Sequence, residues 1–232
     1  MRVAILTAMN KRHHISKIYC NGIRKFIERA PCDVSLFAVI TEKESEQICV
    51  DNRINFTYAA NRPLGAKWNH GLKYALDYPW DYLMIMGDDD IISPEAWSHY
   101  YPLMVRHEDY FGFTKIYFYE MATGKTYIHD IRKKGNPKNH LIGCGRMVSR
   151  KAIERLPRDL WKPDANMAMD FYSERNLMLN LKIKPVQIDE CLMVDLKSGE
   201  NIWDMNSYRA RSTEVDSSVL DFIMERNAIF SI

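Results

Sequence analysis

The chain has 232 residues, 47% of them hydrophobic and 27% charged, which is the composition of a globular protein long enough to bury a substantial core. Its 32 basic and 30 acidic residues leave a net charge of +2, so no broad electrostatic field singles out or excludes a nucleic-acid partner. No apolar run approaches the roughly 20 residues that a membrane-crossing helix needs, and residues 1–7 are too short for a signal-peptide core, so a cytoplasmic protein without membrane insertion is expected.

In chain order, residues 3–7 are an aliphatic, β-branched run that reads as a buried strand. Ile15, Ile18, Tyr19, Ile23, Phe26 and Ile27 then recur at helical spacing, and Pro31 stops the helix. A second strand is expected over 34–40, a short helix over 43–49 and a third strand over 54–59. Residues 65–76 read as a helix offering Ala66, Trp68, Leu72, Ala75 and Leu76 to a core. A fourth strand over 82–86 runs straight into Gly87, Asp88, Asp89 and Asp90. Ser93 as cap and Pro94 at the first position begin a helix that continues to about residue 107. This alternation predicts an α/β fold with a mainly parallel sheet flanked by helices, whose ligands collect at the carboxyl ends of the strands. It does not determine strand order.

The second half changes pattern. Residues 111–120 and 127–131 flank the turn residues Ala122, Thr123, Gly124 and Lys125, which predicts an antiparallel hairpin. A basic loop over 132–140 follows, then helices over 149–156 and 169–179, short strands over 183–188 and 192–196, and a closing helix over 217–227. There is no repeat, low-complexity tract or linker, so one domain over 1–232 is expected, divided functionally near residue 110. Cys20, Cys32, Cys49, Cys144 and Cys191 are odd in number, widely spaced and free of any Cys-x-x-Cys, so reduced thiols are expected rather than disulfides or a zinc site.

Three consecutive aspartates at the end of an apolar strand crowd like charges that need compensation. A divalent cation supplies it, since Mg²⁺ and Mn²⁺ take carboxylate oxygens and complete their shells with substrate phosphates. Asp88 and Asp90 form an Asp-x-Asp pair, with Asp90 the first choice as ligand. The competing reading is an exposed acidic turn that favours the following helix start.

At this point the residues resemble a known family. Asn61-Arg62-Pro63-Leu64-Gly65-Ala66-Lys67-Trp68-Asn69-His70-Gly71, followed by Asp81-Tyr82-Leu83-Met84-Ile85-Met86-Gly87-Asp88-Asp89-Asp90, is similar to the core of GT-A glycosyltransferases, especially the family-2-like group with its DXD motif. The resemblance covers most of the first 110 residues and the remainder loosely. It implies a nucleotide-sugar donor, with residues 1–110 as the donor-binding half and 111–232 as the acceptor half. The nucleotide would meet Thr7, Ala8 and Asn10 after the first strand, and Thr41 and Glu42 after the second. Asn61, Gly65, Lys67 and Asn69 would approach the nucleotide and sugar, and Asp88 and Asp89 the diphosphate. Glycine allows close backbone approach and lysine meets phosphate charge.

In the acceptor half, Gly143-Cys144-Gly145-Arg146 resembles the family's Gly-x-Gly segment before a helix, which makes Gly143, Gly145 and Arg146 acceptor-binding candidates. Asp170 best matches the acidic residue that serves inverting members as base, with Asp164 in reserve. The family's late histidine ligand has no counterpart, because the last histidine is His140; Asp195 could substitute with an oxygen, and Lys197 and Asn201 follow it toward the phosphates. The implied activity is inverting transfer of a sugar, UDP-linked by first choice, to a hydroxyl acceptor with Mn²⁺ or Mg²⁺ as cofactor. Arg132, Lys133, Lys134, Lys138, Arg146, Arg150, Lys151, Arg155 and Arg158, with 13 tyrosines and 5 tryptophans, fit an anionic acceptor such as an acidic glycan or a modified DNA base, or else a plain solvated surface. Alternatives are a nucleotidyltransferase, which would want a glycine-rich loop where Ala8-Met9-Asn10-Lys11-Arg12 stands, and a binding module that has lost catalysis.

Overall fold

A computed structural model describes residues 1–133, 140–201 and 205–224. The aliphatic runs become β1 (Arg2–Ala8), β2 (Asp33–Ile40), β3 (Asn55–Tyr58) and β4 (Tyr82–Ile85). Between them lie α1 (His13–Glu28), α2 (Lys43–Asp51) and α3 (Leu64–Leu76). Each strand returns through a helix, so β1 pairs in parallel with both β2 and β4, and β2 with β3. Alternate side chains of β1 leave opposite faces: Val3 and Ile5 enter the core that holds Tyr19, Ile23 and Phe26 of α1, while Ala4 and Leu6 enter the one that holds Trp68, Leu72 and Ala75 of α3.

The chain continues through β5 (Asp90–Ile92), a 3₁₀ turn (Pro94–Ala96), α4 (Trp97–Val105), β6 (Tyr110–Phe113), β7 (Lys115–Glu120) and β8 (Lys125–Asp130). Then come β9 (Arg146–Ser149), α5 (Arg150–Glu154), α6 (Met169–Leu181), β10 (Val186–Ile188), β11 (Met193–Lys197), α7 (Asn206–Arg209) and β12 (Thr213–Val215). The larger sheet has the order β10-β6-β9-β4-β1-β2-β3 and the smaller one β12-β8-β7-β11-β5. β9 runs antiparallel to both β4 and β6, so the larger sheet is mostly parallel with one reversed strand.

The expected hairpin is present as β7–β8, but its first arm is shorter than the sequence suggests. The run 111–120 divides at Thr114, whose buried N–H and hydroxyl both bond the Ile188 carbonyl, so β6 joins the larger sheet and β7 the smaller. Residues 146–149, expected as a turn before a helix, form a strand, and Ser149 caps α5 by accepting from Ala152 N. The expected closing helix is a 3₁₀ turn (Ser217–Leu220) within the described residues; 225–227 lie outside them, as do 134–139 of the basic loop. Ser93 accepts from Glu95 N as the expected cap. All five cysteines are free thiols. No helix among the described residues is long and apolar enough to cross a membrane.

Candidate functional site

β4 points its carboxyl end at the acidic turn. Gly87 N donates to Asp90 Oδ2 at 2.7 Å. A Cβ at Gly87 would lie 2.5 Å from Asp89 Oδ1 and 2.8 Å from Asp90 Oδ2, so only glycine leaves the space into which the two carboxylates converge. The β5–β11 register sets Asp195 opposite Asp90. Asp195 Oδ2 accepts from Lys197 Nζ at 2.6 Å, while its buried Oδ1 has no partner among the described residues. Burial pushes Asp88 and Asp195 up to about 6 and raises Asp90 well above the usual carboxylate range. The site therefore stores unfavourable charge that a cationic ligand would relieve.

Arg12, which follows β1, supplies the compensation now in place. Its guanidinium spans two carboxylates, bonding Asp88 and reaching Asp89 Oδ2 at 2.6 Å. Ser16 Oγ donates to the other oxygen of Asp88 at 2.7 Å, and Asn201 Nδ2 donates to Asp89 Oδ2 at 2.7 Å. Asp88 was expected to hold metal and diphosphate; its carboxylate is instead taken up by Arg12 and Ser16 and is 1% exposed. Arg12→Ala leaves that buried charge without its cation. It is expected to lower stability by about 3–5 kcal/mol in urea unfolding. In the Asp88→Asn background the same change should cost far less, and equal costs in both backgrounds would refute the coupling.

Two pockets meet at this edge. One, of about 250 Å³, is bounded by Asp89, Asp90, Asp170, Gly143, Trp68 and Trp161. The other, of about 410 Å³, is bounded by Ala8, Asn10, Arg12, Asn61, Lys67 and Asn166. Leu64 belongs to both walls. Lys67 Nζ donates to Met9 O at 2.6 Å, Thr41 Oγ1 at 2.8 Å and Asn61 Oδ1 at 3.0 Å, tying the ends of β1 and β2 to the loop before α3. Burial pushes its ammonium down to about 8.

The other anticipated residues divide sharply. Ala8 and Asn10 line the larger pocket, whereas Thr7 is wholly buried. Glu42 braces the turn after β1 by accepting from Lys11 N at 2.9 Å. Asn69 was expected to bridge sugar and acidic turn; it instead clamps the Trp161 main chain, donating to Trp161 O at 2.8 Å and accepting from Trp161 N at 3.1 Å. Gly65 approaches protein rather than open space, since a Cβ there would lie 1.9 Å from Lys162 O. Gly65→Ala is accordingly expected to cost roughly 2–4 kcal/mol in urea unfolding; a cost under about 0.5 kcal/mol would contradict this packing.

Gly143 does face the smaller pocket, with its Cβ position 3.1 Å from Asp170 Cβ. Gly145 has φ +68° and would drive a Cβ to 2.4 Å from Met193 Sδ, so its role is structural. Arg146, expected at the acceptor, lines the smaller pocket but is only 2% exposed. It donates to Gly143 O at 2.8 Å, Tyr110 Oη at 3.2 Å and Asp170 O at 2.9 Å, and so positions the segment that carries Asp170. Asp170 sits in the first turn of α6, exposed, and its carboxylate accepts no hydrogen bond among the described residues. The cap position is Ala168 at φ +57°, which bends the chain so that Asp170 reaches the pocket instead of capping the helix. Asp164 is exposed and paired with Lys162 at 3.3 Å, off both pockets. Arg12, Trp161 and Asn166 had no distinguishing sequence signal as site residues; each is placed by contacts across tens of residues.

For a divalent cation, no three His, Cys, Asp or Glu side chains among the described residues gather into a ready cluster. Asp90 and Asp195 nevertheless form an all-oxygen pair with one orphaned acceptor. That fits Mg²⁺ or Mn²⁺, which are commonly held by one or two carboxylates plus substrate phosphates.

The fold is similar to glycosyltransferase structures. S. aureus TarS 1–349 superposes with a TM-score of 0.58 at 12% identity, covering 84% of this chain and 60% of that one. TarS 1–349 in complex with UDP gives 0.55 at 12% identity over 86% and 62%. A further S. aureus TarS structure gives 0.57 at 12% identity over 100% and 44%. The chain thus spans less than two thirds of these TarS chains, and the likeness is one of fold. No protein-family model matches the sequence, and no curated protein matches it.

Proposed function

We propose that this chain is a glycosyltransferase that moves a sugar from a nucleoside diphosphate sugar to a hydroxyl acceptor with inversion. The observation that carries the reading is the meeting of Asp90 and Asp170 in one pocket at the carboxyl edge of the sheet, wall to wall with a polar pocket on Arg12, Asn61 and Lys67. The larger pocket takes the nucleotide, and the sugar passes Leu64 into the smaller one. The UDP complex of the similarly folded TarS favours uridine as the base.

Asp170 accepts the proton of the acceptor hydroxyl as that oxygen bonds the anomeric carbon. The bond from that carbon to the diphosphate oxygen breaks on the opposite face, and the nucleoside diphosphate leaves with the electron pair. Arg12 lies beside the acidic turn and on the nucleotide pocket, where it can meet phosphate oxygens. Mn²⁺ or Mg²⁺ held by Asp90 and Asp195 would neutralise charge that develops on the leaving diphosphate.

Thermal unfolding with UDP, GDP, CDP, ADP and TDP, each with and without Mn²⁺, tests the reading. One nucleotide at about 100 times its Kd should raise Tm by roughly 5–10 °C, with most of the rise dependent on Mn²⁺. No stabilisation by any of the five would sink it.

A further inference from the structure

α3 begins without a side-chain cap of its own. Pro63 holds the cap position and offers no side-chain acceptor, so the first N–H groups of the helix need partners from elsewhere in the chain. The segment that leads into α6 supplies them. Leu64 N donates to Asn166 Oδ1 at 3.1 Å, and Gly65 N donates to Ala165 O at 2.8 Å. A side-chain amide whose oxygen accepts from a main-chain N–H has its two ends assigned, because only the oxygen can accept. The Nδ2 end of Asn166 is therefore turned away from Leu64 N, and it makes no hydrogen bond among the described residues.

The place of that amide gives it a ligand. Asn166 lies on the wall of the larger pocket and bonds Leu64, the residue common to both pockets, so it stands where the two meet. Met167, Ala168, Met169 and Asp170, which follow it in the chain, line the smaller pocket. On the larger pocket's wall Lys11, Arg12, Arg62 and Lys67 outnumber Glu200, the one acid there among the described residues, which suits an anionic ligand. With the nucleotide in the larger pocket and the sugar in the smaller, the group that crosses the junction is the distal phosphate, the one that carries the sugar.

We propose that Asn166 is a contact for the sugar-nucleotide, its amide N–H groups bonding an oxygen of the distal phosphate. The proposal rests on the transfer reading above and adds to it a residue of the second half of the chain. A neutral amide suits this position, because it offers N–H groups to a phosphate without adding a cation that would pair with Asp89 or Asp90 close by. One short strap then holds both the leaving phosphate, at Asn166, and the base, at Asp170. The strap is itself pinned to the start of α3 by the Leu64 and Gly65 bonds.

Calorimetric titration of the full chain with UDP, UMP and pyrophosphate, Mg²⁺ present, tests this in the parent and in two variants. Asn166→Ala removes the amide N–H groups and also the acceptor for Leu64 N. It should weaken UDP roughly tenfold, leave UMP within about threefold, and lower Tm by roughly 1–8 °C through the lost cap. Asn166→Asp keeps the acceptor for Leu64 N and places a negative charge that suits a helix start. It should keep the parent Tm or raise it, yet weaken UDP and pyrophosphate by tenfold or more, since a carboxylate repels the phosphate it faces. UDP binding at parent affinity in Asn166→Asp would leave Asn166 only a cap for α3 and overturn the proposal. Equal weakening of UDP and UMP in Asn166→Ala would overturn the contact with the distal phosphate. A parent chain that binds pyrophosphate but neither nucleotide, with pyrophosphate lost in Asn166→Asp, would overturn the transfer reading and support the phosphate contact. A parent that binds none of the three would overturn both.

Discussion

Asp170→Asn is expected to lower the rate of sugar transfer by roughly two to four orders of magnitude while leaving UDP affinity within about twofold and Tm unchanged. The amide keeps the shape of the side chain and loses the ability to take a proton. Because the parent carboxylate is exposed and accepts no hydrogen bond among the described residues, its replacement by the isosteric amide breaks no hydrogen bond there. The anchoring bond runs from Arg146 to the Asp170 main-chain oxygen, at 2.9 Å, and survives the substitution. A radiolabelled or coupled transfer assay with UDP titrated separately divides kcat from binding. Transfer at the parent rate would reject Asp170 as base, and lost UDP binding would make it a structural residue.

Asp90→Asn is expected to act in two opposite directions. Its carboxylate is buried beside Asp89 and Asp195, and burial raises it well above the usual range. Asp88 and Asp195 are likewise raised from 3.8 to about 6. Across that window the folded state still holds protons that the unfolded state has released. Stability of the free protein therefore falls as pH rises from 3.8 toward about 6, and the part of the penalty that belongs to Asp88 and Asp195 is fully present above it. Asparagine removes one of these buried charges and keeps an acceptor for Gly87 N. The variant should gain about 1–3 kcal/mol at neutral pH, a rise in Tm of roughly 2–12 °C, with a shallower decline as pH rises above the ordinary carboxylate range. The same change should abolish the Mn²⁺-dependent part of UDP stabilisation. Thermal scans from pH 4 to 8, with and without Mn²⁺ and UDP, read both effects. A less stable variant that retains the Mn²⁺ response would refute this account of the acidic turn.

The two variants touch the parts of the site that differed most in legibility. The strand ending at Ile85 and the turn after it were visible because a short aliphatic run and three consecutive aspartates are local signals. Which of those aspartates is held by the protein's own cation was not. Asp90, the first choice as ligand in the Asp-x-Asp pair, lines the pocket, whereas Arg12 and Ser16, 76 and 72 residues away, claim Asp88. Asn69 and Gly65 stood in a motif that suggested ligand contact, but the 161–165 segment returns over α3 and takes up both. β5 and β12 have three residues each and β9 four; such segments carry too little periodicity to announce themselves and exist as strands through their partners.

By itself, the sequence determined the alternation of the first half, because periodicity of 2 and 3.6 is written in neighbouring residues. It also placed the acidic turn at a strand's carboxyl end and marked Asp170 as an acid near a helix start. The tertiary structure decided that Asp90 faces Asp195, that Arg12 spans Asp88 and Asp89, and that Asp170 reaches the same pocket as Asp90. The reason is physical: a carboxylate's charge state and partners depend on burial and on groups brought close by strand pairing, and neither is a property of the residues beside it in the chain.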